Sequence, residues 1–260
     1  MAALRVPEAA ELAVVMPVFN EAVNLRPVVC EWFGCLRALG ADFVFIAVND
    51  GSTDKTAEEL ARLAHDLGPK FQIVNKPNSG HGRSCREGYE HALAEGADWI
   101  LQIDSDGQCD PAFFPELYAA RTAHDCVFAY RQTRGDGWGR TAVSFCCRLL
   151  LFSFAGSYLR DPNVPYRMIR AGALRAALHR IPADFDLQNI ALTFALSREP
   201  DLRWKYFPIH FRARRGGKNS INYRKIVKMG LNLIRDLGRI RDEDSPRWQR
   251  PAWARRGAVS

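Results

Sequence analysis

The feature of this sequence that most restricts its fold is a regular alternation of short apolar segments with longer helical patterns. The apolar segments are rich in Val, Ile and Phe, and they cover residues 12–17, 43–50, 71–76, 99–104 and 126–131. Helix-like stretches lie between them, near residues 22–39, 53–66, 79–95 and 112–123. This alternation is typical of βαβ units, whose parallel strands are buried on both faces. It predicts an α/β fold with a mainly parallel central sheet flanked by helices.

Polar segments follow four of the predicted strands in succession. They read PVFNEAVNL, NDGSTDKT, NKPNSGHGRS and DSDGQCDP. Any one of them alone is explained as a capped turn. Ligands of parallel α/β folds bind at the carboxyl ends of the strands, so four such segments on one edge of a sheet predict a binding site.

Three carboxylates stand within seven positions after the fourth predicted strand. Residues two apart in an extended segment point to the same side, so we expect Asp104 and Asp106 to converge, together with the amide oxygen of Gln108. A divalent cation would relieve the repulsion between the carboxylates, and oxygen ligands favour Mg²⁺ or Mn²⁺. Asp110 precedes Pro111, an arrangement typical of a helix N-cap. The sequence therefore predicts a metal site at Asp104, Asp106 and Gln108, with Asp110 as a cap.

Four motifs together resemble those of family 2 glycosyltransferases, especially the branch of dolichol-phosphate mannose synthase and the polyprenyl-phosphate glycosyltransferases. The segments P-V-F-N-E (17–21), N-D-G-S-T-D-K-T (49–56), G-H-G-R-S (80–84) and D-S-D-G-Q (104–108) follow the order of the family's motifs. The resemblance covers roughly residues 12–225. It implies a GT-A (nucleotide-diphospho-sugar transferase) fold, a GDP- or UDP-sugar donor, a divalent cation bridging the diphosphate, and inversion at the anomeric carbon.

The resemblance also implies roles for individual residues on the donor side. Phe19 replaces the family's usual Tyr, and Asn49 replaces the first Asp of its usual pair. The predicted donor-binding residues are Pro17, Asn20, Glu21, Asp50, Gly80, Gly82, Asp104 and Asp106.

Two arginines stand where the family has arginines that meet the departing diphosphate. Arg131 follows the fifth predicted strand, and Arg214 lies in FRARRGGKNS (211–220), which resembles the family's closing loop. Groups that meet developing negative charge lower the barrier to its departure. The alternative for the 211–220 segment is a solvated basic loop. The predicted catalytic residues are Asp104, Asp106, Arg131 and Arg214.

On the acceptor side, Arg140 and Arg148 are spaced so that they share one face of a predicted helix. This helix would either lie at a bilayer interface and gather a lipid phosphate or be an ordinary amphipathic surface helix. The segment 160–170 resembles a family motif that implies positions near the acceptor for Asp161 and Arg167. The predicted acceptor-binding residues are therefore Arg140, Arg148, Asp161 and Arg167.

The chemistry of the acceptor is indicated by Asn189, which stands where relatives often have Glu. A hydroxyl acceptor needs a carboxylate base, whereas a lipid phosphate is already anionic and needs none. Asn189 therefore favours a polyprenyl phosphate acceptor. Asp184 or Asp186 would still serve as the base for a hydroxyl.

Positive charge is concentrated at the C-terminal end. Residues 201–260 hold 16 Lys and Arg against 5 Asp and Glu, a balance of +11, whereas residues 1–200 hold 20 against 24. Within residues 224–240, basic and apolar side chains fall on separate helical arcs, as expected of a helix lying on anionic lipid or of a core-packed helix with a solvated face. We expect a catalytic domain over 1–220 and a basic amphipathic segment over 221–260, at the cytoplasmic face of a membrane.

Several other classes are disfavoured. No window reaches the roughly 18 uncharged apolar residues of a spanning helix, because the best candidate carries Arg148, and the first residues lack the features of a secretory signal. Seven cysteines without a C-x-x-C spacing indicate reduced thiols, not a zinc site or a disulfide framework. Nucleic acid is not an expected partner, because no recognised motif accompanies the basic residues.

These patterns predict a metal-dependent inverting glycosyltransferase. It would move a hexose of the mannose or glucose type from a nucleotide-diphosphate sugar to a polyprenyl or dolichyl phosphate at a membrane surface. Two alternatives remain: a family 2 enzyme that acts on a soluble or protein-borne hydroxyl, and a degenerate donor-binding module that regulates a partner.

Overall fold

A computed structural model describes residues 9–131, 159–183, 185 and 187–212 of the chain. The strands are β1 (Leu12–Val18), β2 (Phe43–Asp50), β3 (Phe71–Lys76), β4 (Trp99–Gln102), β5 (Cys126–Arg131), β6 (Arg167–Arg170) and β7 (Trp204–Ile209). The α-helices are α1 (Ala22–Ala38), α2 (Thr56–Leu67), α3 (His81–Ala94), α4 (Phe114–Ala120), α5 (Ala171–Arg180) and α6 (Gln188–Ser197). Short 3₁₀ turns cover Gly68–Lys70 and Pro111–Phe113.

The strands of the described residues form one sheet in the order β3-β2-β1-β4-β6-β5-β7. The pairs β1–β2, β1–β4, β2–β3 and β5–β7 are parallel, and β6 runs antiparallel between β4 and β5. The predicted mainly parallel α/β sheet is confirmed, with a strand at each of the five predicted apolar segments.

The core lies around β1 and β2, in which every residue is buried. Helix α3 packs against these strands at a close distance that only glycine permits. A Cβ atom on Gly88 would lie 2.3 Å from Cγ1 of Val15 and 3.0 Å from Cγ2 of Val48. This contact fixes α3 on the sheet, and α3 begins at the edge where the polar loops meet.

The elements that the structure describes between residues 167 and 209 were not predicted as strands or helices. Strand β6 has only four residues and arginine at both ends, so it lacks a long apolar run. Helix α6 is buried at every position, and a continuous apolar run does not reveal by periodicity whether it is a helix or a strand. Both elements complete the second half of the sheet and its cover.

Some predicted features lie outside the described residues. They are Arg140, Arg148, Asp184, Asp186, Arg214, the domain boundary at 220 and the basic segment 221–260. Among the helices of the described ranges, none has the length and apolar character required to cross a bilayer.

Candidate functional site

The loops after β1, β2, β3 and β4 enclose a cleft of about 340 Å³ at the carboxyl edge of the sheet, which we call the first cleft. It is lined by Pro17, Val18, Phe19, Glu21, Asp50, Asn78, Gly80, His81, Ser84, Asp104, Ser105 and Asp106. The structure thus brings together predicted donor-binding residues from all four loops. They converge because the carboxyl ends of parallel strands meet at the same edge of a sheet.

Asn20 joins the first loop to the second. Its backbone has a φ of 53°, and its Oδ1 accepts a hydrogen bond of 2.8 Å from the backbone N–H of Thr53. Its own N–H donates to Oγ of Ser52 at 3.1 Å. Asn20 is not among the residues that line the first cleft, so its place in the described structure is between the two loops.

Asp50, the last residue of β2, holds the loop that precedes α3. Its buried carboxylate accepts hydrogen bonds from Nζ of Lys76 at 2.5 Å and from the backbone N–H groups of Ser79 at 2.8 Å and Gly80 at 2.9 Å. Burial opposes the charge, but these donors outweigh it, so the pKa of Asp50 lies below its usual value. The ionised carboxylate therefore fixes one wall of the first cleft.

The second and third loops are in close contact at Gly51. This residue has a φ of +64°, and a Cβ atom on it would lie 2.6 Å from the backbone N of Asn78. Only glycine fits such a backbone conformation and such a contact. The side chain of Asn78 donates to the carbonyl of Asp50 at 3.0 Å, which joins the same two loops.

Asp104 and Asp106 both line the first cleft, but the geometry differs from the extended segment that we predicted. Strand β4 ends at Gln102, and the chain then turns at Gly107, which has a φ of 76°. Oδ1 of Asp106 accepts a hydrogen bond of 3.0 Å from the backbone N–H of Gln108. A turn stabilised by an Asp side chain, not the alternation of a strand, brings the two carboxylates to the cleft.

The residues present could hold a divalent cation whose coordination a bound diphosphate would complete. In the part of the chain that the structure describes, no three His, Cys, Asp or Glu side chains are grouped so that they could hold a metal ion. Mg²⁺ is commonly held by one or two carboxylates, with water and substrate phosphates as the other ligands. Asp104 and Asp106 supply two carboxylates of this kind. Gln108 uses its Nε2 to donate to the carbonyl of Arg212 at 3.2 Å, and its role as a ligand remains a prediction.

His81 is a residue of the site that the sequence analysis did not select. It is the first residue of α3, and its Nε2 lies 2.9 Å from Oδ1 of Asp104. The Cys85 sulfur and the Asp104 carboxylate outweigh the effect of burial and raise the pKa of His81 well above its usual value. The raised pKa favours the protonated, positively charged imidazole in the cleft. The signal in the sequence was its position between the two glycines of the G-H-G motif.

Arg131 and Asp161 form a two-point ion pair. Nε of Arg131 donates to Oδ2 of Asp161 at 2.7 Å and Nη2 donates to Oδ1 at 2.6 Å. Asp161 is buried and has a φ of 40°, so its conformation is strained and must be held by its surroundings. We predicted Arg131 on the leaving-group side and Asp161 on the acceptor side. In the structure the two residues form one ion pair at the end of β5.

Arg167 does not occupy the exposed position that a contact with the acceptor would require. Its side chain is fully buried, and its guanidinium donates to the carbonyls of Val164 at 2.8 Å, Asn189 at 2.9 Å and Pro162 at 3.2 Å. Burial lowers the pKa of Arg167. Because its donors are used by internal carbonyls, we replace the predicted acceptor contact with a structural role.

Arg212 attaches the start of the predicted closing loop to the loop that carries the carboxylates. Its guanidinium donates to Glu31 and to Asp110, each at 2.6 Å, and its backbone N–H donates to the carbonyl of Gln108 at 3.2 Å. Asp110 also accepts from the backbone N–H of Ala112 at 2.8 Å, which confirms its prediction as an N-cap.

A second cleft of about 750 Å³ adjoins the first. It is lined by Asn78, Ser79, Gly80, His81, Gly82, Arg83, Asp104, Asn163, Leu187, Gln188 and Asn189. Asn78, Gly80, His81 and Asp104 line both clefts. Asp104 therefore stands at their border, and of the predicted donor-binding residues Gly82 lies only on the second side.

The chain is similar to known proteins in family, sequence and structure. The model of the family described as glycosyl transferase family 2 matches residues 13–180. A protein named undecaprenyl-phosphate 4-deoxy-4-formamido-L-arabinose transferase from Enterobacter sp. (strain 638) is 26% identical over 226 residues, covering 86% of this chain and 66% of the relative. Its namesake from Edwardsiella ictaluri (strain 93-146) is 25% identical over 225 residues with the same coverage. This chain thus spans 66% of the length of these relatives.

Among solved structures, glucosyl-3-phosphoglycerate synthase from Mycobacterium tuberculosis has a similar fold. Its complex with Mn²⁺, uridine diphosphate and phosphoglyceric acid gives a TM-score of 0.65 at 20% identity, covering 89% of this chain and 78% of that chain. Its complex with Mg²⁺ and uridine diphosphate gives a TM-score of 0.64 at 20% identity, with coverage of 89% and 79%. At this identity the similarity concerns the fold.

Proposed function

Because this chain belongs to glycosyl transferase family 2 and has a GT-A fold, we propose that it moves a hexose of the mannose or glucose type from a nucleotide-diphosphate sugar to a polyprenyl phosphate. The reaction would invert the anomeric carbon and use a divalent cation. The observation that carries this proposal is the position of Asp104 and Asp106 in a cleft at the strand ends, where Asp104 also borders a second cleft. One cleft can hold the nucleotide while the other holds the reacting groups.

The first cleft suits the nucleotide of the donor. Phe19 is 46% exposed and lines the cleft, so its ring offers an apolar surface for a nucleobase, beside Pro17 and Glu21. Asp50 would border the ribose or the base while it holds the 77–80 loop. The donor is GDP- or UDP-linked in this proposal, and the uridine diphosphate in the similar solved structures supports the second choice.

The diphosphate would lie at the border of the two clefts. Asp104 and Asp106, with Gln108, would hold a Mg²⁺ or Mn²⁺ ion there, and a bound cation would neutralise charge on the departing diphosphate. The amino end of α3 and the imidazole of His81 also favour negative charge at this border. We propose that Arg131, fixed by Asp161, and Arg214 complete the stabilisation of the leaving group.

A phosphate acceptor is supported by two features. Asn189 in the second cleft is not an acid, and an ionised phosphate needs no base to become a nucleophile. The names of the two relatives specify undecaprenyl phosphate. Arg140 and Arg148 would bind the phosphate of the lipid, and the basic segment 221–260 would hold the protein at the cytoplasmic face of a membrane.

The proposal is tested by a mass-resolved transfer assay. Purified full-length protein is incubated with GDP-mannose, GDP-glucose or UDP-glucose, undecaprenyl phosphate in detergent, and Mn²⁺ or Mg²⁺. We expect a glycosyl-phosphoryl-lipid product that excess EDTA abolishes. Transfer to soluble hydroxyl compounds without lipid would favour the other acceptor class. Binding of the nucleotide sugar without transfer or hydrolysis would indicate a regulatory module.

A further inference from the structure

We propose that Gln188 and Asn189, at the start of α6, bind hydroxyl groups of the sugar that is transferred. This inference rests on the proposed function and assigns the sugar of the donor to the second cleft. In this proposal, two neutral amide side chains select that sugar.

The observation that points to a ligand is a pair of buried polar atoms without partners. The residues Gln188 and Asn189 are 2% and 5% exposed, and both line the second cleft. Nε2 of Gln188 and Oδ1 of Asn189 are buried without a hydrogen-bond partner in the described structure. Buried polar atoms are nearly always hydrogen-bonded in folded proteins. Both residues line the second cleft, so turning their amides toward it would let a bound ligand supply the missing partners.

The chemistry of this pair matches a hydroxyl group. Nε2 of Gln188 is a donor and Oδ1 of Asn189 is an acceptor, and a hydroxyl both accepts and donates. An ionised phosphate has no proton to donate, so it would leave Oδ1 of Asn189 without a partner. Rotation of both amides by 180° exchanges donor and acceptor at both positions and preserves the need for a ligand with both functions.

The other polar groups that line the second cleft are also suited to hydrogen-bond a hydroxyl-rich ligand. Asn78, Ser79 and Asn163 add further amide and hydroxyl groups to its lining, and such side chains can donate and accept in turn. Asp104 borders both clefts. A diphosphate held at Asp104 in the first cleft would therefore direct its attached sugar across this border into the second.

The two walls that would contact the sugar are linked by Arg167. Its guanidinium donates to the carbonyl of Asn189 at 2.9 Å on one wall. It also donates to the carbonyls of Pro162 and Val164, which flank Asn163 on the other wall. Arg167 is therefore a positioning residue that sets the separation of the walls without touching the ligand, and such support favours a binding geometry that is formed in advance.

The experiment uses apolar replacements of similar shape, Gln188→Met and Asn189→Leu, in the full-length protein. Gln72→Met is the matched control, since Gln72 bonds to His91 and Glu95 on the surface of β3 and lies outside both clefts. The probes are the nucleotide sugar that gives transfer in the assay above and its nucleoside diphosphate alone, both with Mn²⁺. The dissociation constant of each probe and the Tm of each variant are measured.

We expect both variants to bind the nucleoside diphosphate as the wild type does and the nucleotide sugar about tenfold more weakly. We also expect no decrease in Tm, because each replacement removes a buried polar atom that has no partner in the described structure and whose burial is unfavourable. A purely structural role predicts the reverse, a lower Tm with unchanged discrimination between the two probes. Gln188→Glu, which keeps the shape and removes the N–H donor, gives the same binding test should Gln188→Met fold poorly.

Four results would overturn the inference. Unchanged binding of the nucleotide sugar, or an equal loss of affinity for both probes, would show that these amides do not bind the sugar. The proposed function would still stand. A raised KM for the acceptor with unchanged donor binding would assign the hydroxyl to the acceptor. Failure of the wild type to transfer any of the tested sugars would remove the proposed function, and this inference with it.

Discussion

Individual buried charges set the shape of this site. Asp50 holds the loop before α3 through two backbone N–H groups and Lys76, and Arg167 holds three carbonyls from two segments of the chain. Each charge is partnered mainly by backbone groups. Removing one such side chain leaves its buried partners without hydrogen bonds, which costs more than the bond itself contributed.

The first prediction at the scale of the residue concerns Asp104. Asp104→Ala removes one of the two carboxylates offered to the cation, and we expect kcat/KM for sugar transfer to fall by about 100-fold or more. The Tm should change little, because His81, to which the Asp104 carboxylate is hydrogen-bonded, is itself 51% exposed. Asp66→Ala is the control, since Asp66 pairs with Arg26 on the surface of α2. Full activity of Asp104→Ala would contradict the metal site.

A second prediction at this scale concerns Arg167. Arg167→Met leaves the carbonyls of Pro162, Val164 and Asn189 without their donor, and we expect a loss of about 3 kcal/mol in the free energy of unfolding. Arg167→Lys should recover little of it, because an ammonium group lacks the planar fork that reaches several carbonyls. Urea denaturation measures both variants. Wild-type stability of Arg167→Lys would show that the fork is not required.

At the scale of the element, helix α3 is decisive because it carries His81 to both clefts and Gly82 to the second, and because it packs on two strands through Gly88. Gly88→Ala would force a methyl group against Val15, and we expect a loss of about 1–3 kcal/mol in the free energy of unfolding. Gly172→Ala in α5 is the matched control, because a Cβ there meets nothing within 4 Å. A stable Gly88→Ala variant would mean that α3 can move away from the sheet at little cost.

Three strands of the second half of the sheet are joined at the opposite edge by Asp125. Its carboxylate lies 3.0 Å from Nε of Arg203, which precedes β7, and 3.0 Å from Nε of Arg170 at the end of β6. The hydrogen bond from Arg203 lowers the pKa of Asp125, and burial opposes this effect only in part. The folded state therefore favours the ionised carboxylate.

The pH dependence of stability follows from this lowered pKa. A group whose pKa is lower in the folded state stabilises the fold above its unfolded pKa, near 4 for Asp, and loses that contribution as the pH falls through the folded pKa. We expect Asp125→Asn to be less stable than the wild type by about 1 kcal/mol at pH 7. The difference should shrink below about pH 4. Thermal unfolding from pH 7 to pH 3 measures it, and a constant difference would contradict the assignment.

At the scale of the whole molecule, the distribution of charge leads to a prediction about membranes. The balance of +11 in residues 201–260 contrasts with −4 in residues 1–200. A triple substitution of Arg224, Lys225 and Lys228 by Gln should weaken binding to vesicles that contain anionic lipid by about 100-fold, at about 1 kcal/mol for each charge. Cosedimentation at low and high salt measures this binding.

The control for the membrane prediction carries the same change of charge elsewhere. Arg37, Arg62 and Lys70, replaced together by Gln, lie on the surface of the described domain. We expect this control to keep most of its vesicle binding. Equal losses in the two triple variants would show that net charge, not the 221–260 segment, governs the attraction.

The sequence by itself determined the first five strands, the α/β class and the loops from which the first cleft is built. Hydrophobic periodicity and turn chemistry act over a few residues, so they can be read locally. The segment after β4 is a clear case, because Asp104 and Asp106 follow a buried strand directly and the N-cap at Asp110 depends only on its neighbours.

Only the tertiary structure decided which distant groups meet. Arg131 pairs with Asp161, Arg212 pairs with Asp110, and Arg167 donates a hydrogen bond to the carbonyl of Asn189. The burial of Arg167 and the unpartnered amides of Gln188 and Asn189 depend on how α6 packs beside the sheet. Such contacts join segments that are far apart in the chain, and their energies depend on burial and geometry that no local pattern of residues contains.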